Sequence, residues 1–397
     1  MLDTWRVPSI SNLLGKIFHI LIQTTQTILK KVNLMTYICS AGVGIPKYEI
    51  SQQEIKEMVG ELFPYTERQL ARLLPVFDHA EIVKRQFAVE KDWFKTSHTF
   101  QEKNNLYQLH ACDYALKAID HCLTNEQLLT ESIPYEAVDM IIFVSSTGIA
   151  TPSLDTHIFN ERPFREDVKR MPLWGLGCAG GAIGLARAYD FLTAHPNKTA
   201  LVVCAELCSL TFQKDDYKKS NLVGTALFGD GVGAVFMSGK DSIYRQKRRK
   251  VLPKLVTTSS FTKKDSLSVM GWDITNNGLE VIFSKSIPNL VQTLWKDHMN
   301  AFLKNGNITE KSIHSFIAHP GGKKVLEAME DTLHISREQL AHSYNVLQNH
   351  GNMSSSTVIY VLNEWMKEEE VSLGEYSILS ALGPGFSSEL LLLEWSE

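Results

Sequence analysis

No stretch of this chain stays apolar and uninterrupted for the ~18 residues that a membrane-crossing helix needs, so stable membrane insertion is not expected. Neither sign of charge dominates. The 397 residues carry 40 Lys+Arg against 44 Asp+Glu, a net charge of −4. There is thus no overall basic field to hold nucleic acid. The basic run Arg245–Lys250 reads as a solvated loop. Cysteine is scarce, with six in all, and none falls in a CxxC pair or at the Cys/His spacing of a zinc site. That is too sparse for a disulfide framework, so reduced thiols and a cytoplasmic setting are expected. What the chain does have is ordinary globular material, 44% hydrophobic and 21% charged, which excludes disorder and collagen-like repeats.

The first 34 residues stand apart. Leu13–Ile22 is apolar but broken by Lys16 and His19. The following Gln23–Ile28 offers no small-residue cleavage site, so a secretory leader is not expected. The segment reads as an appendage, an amphipathic surface helix or the product of an upstream start codon. Met35 makes a cleaner beginning, since Tyr37–Gly44 reads as a strand entering a glycine turn.

From residue 51 to 130 the pattern is mainly helical. Beyond that, buried strand-like runs alternate with helices, at 138–144, 200–205, 233–237, 254–258, 315–318, 376–380 and 389–394. This order predicts an α/β fold. The parts also repeat. Strand 138–144 is followed 34 residues later by Cys178 in Gly177-Cys-Ala-Gly-Gly181, then a helix, a strand and the Gly229-Asp-Gly231 turn into another strand. Strand 315–318 is followed, again 34 residues later, by Asn352 in His350-Gly-Asn352, a helix, a strand and the Gly383-Pro-Gly385 turn into the last strand. An internal duplication fits both series. It divides the chain into an extension (1–34), a first half (35–245) and a second half (246–397), with the basic run at the join. It also puts the active site between the halves.

Cys178 lies among glycines that permit a tight turn, at the start of a helix whose N-terminus would favour the thiolate. The remaining cysteines, Cys208 excepted, read as small buried hydrophobes. A thiolate nucleophile needs a proton partner. His319 ends a strand and enters Pro320-Gly-Gly322, at the rim of a sheet, whereas His350 beside Gly351 is its rival. Asn352 alone would read as a helix N-cap. Opposite Cys178, however, its amide suits an enolate or oxyanion. Papain-like proteases also use a Cys-His-Asn set, but the duplicated halves point elsewhere.

Gly177-Cys-Ala-Gly-Gly181, Ala226-Leu-Phe-Gly-Asp-Gly231, Ile317-Ala-His-Pro-Gly-Gly322, His350-Gly-Asn-Met-Ser-Ser355 and Leu382-Gly-Pro-Gly-Phe386, in this order, resemble the chalcone/stilbene synthase-like type III polyketide synthases. The resemblance runs from about Met35 to Glu397. It implies a homodimer of thiolase-like fold, two duplicated α/β halves in a layered αβαβα arrangement, with acyl-CoA and malonyl-CoA as substrates and no metal or redox cofactor. It implies that Cys178, His319 and Asn352 are catalytic. Cys178 would take an acyl starter as a thioester, and His319 with Asn352 would stabilise the enolate from malonyl decarboxylation. Ring closure follows repeated extension.

Other positions carry over from the same resemblance. Phe228 matches the gatekeeper between the CoA tunnel and the cavity. Lys84 and Arg85 match a basic cluster meeting the CoA phosphates. Gly383, Pro384 and Gly385 shape the cavity wall, with Phe386 beside them. Thr151, Cys208 and Thr211 align with cavity positions, and the cysteine at 208 is similar to bacterial members with a tunnel for long acyl chains. Gly278-Leu-Glu-Val-Ile282 lacks the Phe that follows Gly-Leu-Thr in plant enzymes. A fatty acyl starter and alkylpyrone or alkylresorcinol products are therefore expected ahead of an aromatic starter. A chain-initiating ketoacyl carrier-protein synthase is the rival within the superfamily. A hydroxymethylglutaryl-CoA synthase would want a catalytic carboxylate near Cys178, and a non-catalytic scaffold would lack one of the three residues.

Overall fold

The strands that read most clearly in the sequence are those buried on both faces. A computed structural model describes residues 35–63, 65–249, 251–368 and 372–396; the leading segment discussed above lies outside them. Strands β1 (Thr36–Gly44), β2 (Tyr48–Ser51), β3 (Lys84–Phe87), β4 (Met140–Ser145), β5 (Lys169–Trp174), β6 (Thr199–Leu207) and β7 (Asp230–Gly239) come first. They are followed by β8 (Leu252–Thr262), β9 (Met270–Thr275), β10 (Gly278–Phe283), β11 (Ile313–Ala318), β12 (Tyr376–Gly383) and β13 (Ser387–Ser396). Every residue of β4, β6 and β7 is buried, as a sheet covered on both faces requires.

One nine-stranded sheet runs β11-β12-β13-β8-β1-β7-β6-β4-β5. Its two parts repeat one another. In the first, β4 is parallel to β6, β6 antiparallel to β7 and β7 antiparallel to β1. In the second, β11 is parallel to β12, β12 antiparallel to β13 and β13 antiparallel to β8. Among the described strands of this sheet, only β5 has no counterpart. The parts join through Thr36↔Leu255 and Tyr37↔Lys254.

Helices α1 (Phe100–Leu123), α2 (Gly180–Ala194) and α3 (Thr357–Glu368) set the layers. Helix α1 covers β1, β6 and β7 on one face. Helices α2 and α3 share one core with strands of both parts, from Val144 and Val202 to Leu379 and Leu391. They are the inner helix layer. A second core seats Trp295, Met299 and Leu326 under the outer face of β11–β13. The basic run is anchored locally: Arg245 lies 4.8 Å over the Tyr37 ring, and Lys247 pairs with Glu131 at 3.0 Å.

Candidate active site

Cys178 occupies a single turn, Gly177–Ala179, immediately before α2. Gly177 has φ +49, and a Cβ there would lie 2.7 Å from the Pro384 ring. Only glycine meets both conditions. Cys178 keeps partial exposure between buried neighbours. The thiol pKa is nonetheless raised in the resting structure. Burial pushes it up to about 11, hydrogen bonding with Ser354 and Asn352 opposes this, and the charge of Glu206 adds to it. Desolvation here outweighs the hydrogen bonds that favour the thiolate.

Asn352 is held at every polar atom. Its Nδ2 donates to the Gly321 carbonyl at 3.2 Å, and its Oδ1 accepts from the Ser354 N–H at 2.9 Å. Its backbone N–H donates to Leu227 at 2.8 Å, and its carbonyl accepts from Gly229 at 3.0 Å. The Cys178 thiol lies 3.9 Å from Oδ1. His319 leaves β11 with its N–H on the Ser380 carbonyl at 2.8 Å, and its ring is buried. Neither ring nitrogen has a hydrogen-bond partner among the described residues. Burial pulls its pKa down to about 3, so the resting imidazole is neutral. His350 is engaged elsewhere, with Nδ1 at 2.6 Å from Gln86 Oε1 and its ring edge-on to Tyr360. The structure thus brings Cys178 and Asn352 into contact and ties Asn352 to the loop after His319; the rival histidine stays outside.

One carboxylate beside the site went unread in the sequence. Glu206 is fully buried, and it accepts from Ser146 Oγ (2.9 Å), Ser146 N–H (3.0 Å), Thr147 Oγ1 (2.8 Å) and Ser355 Oγ (2.6 Å). Burial raises its pKa. It binds the turn after Asn352 to the loop after β4 and so fixes the two parts of the sheet at the site. Its signal was available: an acidic residue inside an otherwise apolar strand needs partners.

Phe228 follows helix α4 (Lys219–Leu227) and forms an isolated bridge with Asn352. Its ring meets Trp272 and Phe283 of the β9–β10 hairpin at 5.7 and 5.9 Å. Cys208, Thr211 and Phe228 line one narrow cavity with Met58, Phe94 and Val281. Arg85 departs from expectation. It is fully buried and donates to the carbonyls of Thr225 (2.9 Å) and Phe228 (2.7 Å) and to Gln52 Oε1. It therefore secures Phe228 and cannot reach a phosphate. Lys84, its neighbour on β3, points the other way and pairs with Glu49 at 2.9 Å. Thr151 is exposed and lines no cavity described in the single chain. Gly383 packs on the Cys178 turn, where a Cβ would meet Ala179 at 2.6 Å, while Phe386 is buried in the outer core of the second part.

A larger cavity, about 530 Å³, opens beside Gly321 and Gly322 with Leu227 and Phe283 in its wall. Arg72, Lys219, Lys285, Lys323 and Lys324 stand around it. These cations come from separate segments, which is why no run of sequence revealed them. Its size suits a small-molecule site.

Residues 30–304 match the family described as FAE1/Type III polyketide synthase-like protein, and residues 255–395 match the chalcone and stilbene synthases, C-terminal domain. The chain belongs to the type III polyketide synthases. As a member of that family it is an acyltransferase. It is 43% identical over 363 residues to a putative chalcone synthase of Bacillus subtilis, covering 91% of this chain and 100% of the relative. It is 33% identical to a 1,3,6,8-tetrahydroxynaphthalene synthase of Streptomyces peucetius, covering 91% and 93%. An alpha-pyrone synthesis polyketide synthase-like protein, Pks18 of Mycobacterium tuberculosis, is 29% identical, covering 89% of each chain. Among solved structures, the C-terminal type III polyketide synthase domain of Steely1, from Dictyostelium, superposes with a TM-score of 0.83 at 25% identity, covering 91% of this chain and 99% of that one.

Proposed function

We propose that Cys178, His319 and Asn352 carry out iterative condensation of malonyl-CoA onto a fatty acyl-CoA starter, giving alkylpyrone-type products. The observation that carries this reading is the buried His319 ring, with both nitrogens unpartnered among the described residues, two positions before the Gly321 carbonyl that holds the Asn352 amide. A partnerless buried imidazole costs stability in the resting protein, so its presence points to a group that it meets during the reaction.

In the first step the Cys178 sulfur attacks the starter thioester carbonyl, and coenzyme A leaves as its thiol once it takes up the cysteine proton. In the second, the C–C bond of malonyl-CoA to its carboxylate breaks and carbon dioxide departs. The electron pair enters the thioester as an enolate, whose oxygen accepts hydrogen bonds from His319 and Asn352. The enolate carbon then attacks the acyl-cysteine and releases the Cys178 thiolate for the next round. The cations around the larger cavity suit the phosphates of coenzyme A. Repeats 35–245 and 246–397 would each supply one side of the site.

The narrow cavity at Cys208 and Thr211 is lined mostly by apolar side chains, and Val281 stands where a bulkier aromatic would shorten it; both favour an alkyl chain. The α-pyrone relative points the same way. A second copy would cover the open edge of β5, where Leu109, Ile149 and Trp174 are 65%, 46% and 47% exposed. Trp174 donates to Gly148 at 2.9 Å, and Gln108 donates to Ile149 at 3.2 Å, so these residues are neighbours. Thr151 falls on the same loop, at a homodimer interface.

The test is purified protein with malonyl-CoA and short, aromatic and long acyl-CoA starters, with products read by mass spectrometry. Alkylpyrones from the long starters are expected. A single β-ketoacyl product, formed only with malonyl carrier protein, would overturn the polyketide chemistry, and preference for an aromatic starter would overturn the alkyl reading.

A further inference from the structure

The β9–β10 hairpin is separate from the nine-stranded sheet, and a two-stranded ribbon is marginally stable alone. Its register pairs Met270 with Phe283, Trp272 with Val281 and Ile274 with Leu279. These six side chains therefore share one face. That face carries the Trp272 and Phe283 contacts to Phe228, and Val281 and Leu279 line the cavities at Cys208 and Thr211. Where the hairpin sits thus decides how much room the starter has.

Its tip is held by an unusual group. Lys103, on α1, is only 7% exposed, yet its ammonium forms no ion pair among the described residues. Its Nζ donates to three neutral oxygens: the Phe212 carbonyl (2.9 Å), Gln213 Oε1 (3.1 Å) and the Asn277 carbonyl in the hairpin turn (3.3 Å). Asp215 acts on it only through space. Two further ties reach β10, Gln213 Nε2 to the Leu279 carbonyl at 3.2 Å and Lys218 to Glu280 at 2.8 Å. The ion pair is solvated and weak. The ammonium is the stronger tie, because each of its three hydrogen bonds is charge-assisted and the side chain is almost wholly buried.

We propose that Lys103 is a positioning residue for starter selectivity: it fastens the tip of the β9–β10 hairpin to the Phe212–Gln213 segment and so fixes Trp272, Val281 and Phe283 over Phe228. Lys103 touches no reacting atom in this scheme. It acts through the hairpin, and its effect on product length rests on the polyketide reading given above.

The experiment compares wild type with Lys103→Met, which keeps the alkyl stem and removes the donors, and with Lys103→Arg, which restores them. Hydrogen exchange of residues 270–283 reads the fastening without any substrate. Lys103→Met should exchange there roughly tenfold faster or more, the effect of losing a charge-assisted hydrogen bond. Lys103→Arg should return it toward wild type. With a mixture of starters, Lys103→Met should shift the long-to-short product ratio by about fivefold, while malonyl-CoA decarboxylation keeps its kcat. Unchanged exchange in a folded Lys103→Met would overturn the fastening. Faster exchange with an unchanged product ratio would overturn the role in selectivity. Faster exchange throughout the chain, with all starters reduced equally, would show a general structural role and also overturn it. If wild type makes no polyketide at all, the family chemistry fails while the exchange result still judges the fastening.

Discussion

The two repeated parts of the sheet deliver different things to one place. The first brings Cys178 on a turn that leaves the residue partly exposed, with its thiol loosely held at 3.9 Å from Asn352 Oδ1. The second brings Asn352 with every polar atom bonded, and His319 with its ring nitrogens free. A nucleophile must change partners during a reaction, so loose contacts suit it. An enolate-stabilising donor must already be aimed, because reorganising it during the reaction would cost part of its effect. The same topology thus supports mobility on one side and preorganisation on the other.

Separating the two sides gives the largest expected effect. Cys178→Ala should abolish the acyl-enzyme adduct and lower polyketide formation by about a thousandfold or more, while malonyl-CoA decarboxylation continues. Intact-protein mass spectrometry with a starter alone reads the adduct. Asn352→Ala should do the reverse. Its acyl adduct should still form while carbon dioxide release falls about a hundredfold. If both variants lose both steps equally, the division between the two sides is wrong.

A smaller effect tests the two arginine and lysine environments. Arg85→Met should lower the thermal midpoint, since it strands the carbonyls of Thr225 and Phe228, without weakening coenzyme A binding selectively. Lys324→Gln at the larger cavity should raise KM for acyl-CoA about threefold, with the gap closing as salt screens the phosphates. A selective KM effect in Arg85→Met and none in Lys324→Gln would reverse the assignment.

The smallest effect concerns His298, which is bonded on both nitrogens by Ser388 and Ser259, each at 2.9 Å. Burial lowers its pKa from 6.5 to about 4. The unfolded chain therefore binds this proton first, and stability falls as pH drops from about 6.5 toward 4. His298→Gln should show a shallower acid-side loss of the thermal midpoint over that window. An identical slope would mean that this histidine does not report on acid stability, and would leave its contrast with the unbonded His319 without thermodynamic support.

The reading from sequence succeeded where a residue's environment is set by its near neighbours in the chain. Strands buried on both faces appear as unbroken apolar runs, and the Cys178 and Asn352 turns carry their own glycines. It failed at β5, an edge strand whose Lys169-Arg-Met-Pro-Leu-Trp174 alternates between exposed and half-buried and so lacks such a run. It also assigned Arg85 with Lys84 to one task. Adjacent strand residues face opposite ways, and sequence does not say which side is wet. The cations of the larger cavity and the hydroxyls around Glu206 are assembled only by the fold.

The glycines after Cys178 have a further meaning. A Cβ on Gly181 would lie 2.4 Å from the Ser355 carbonyl, and one on Gly180 would lie 2.6 Å from Val144. Neither residue offers any chemistry. They act as a gauge block of zero thickness between the Cys178 turn and its neighbours at Val144 and the Asn352 turn, so the gap between Cys178 and Asn352 is set by two missing methyl groups, and a single added carbon would wedge it open.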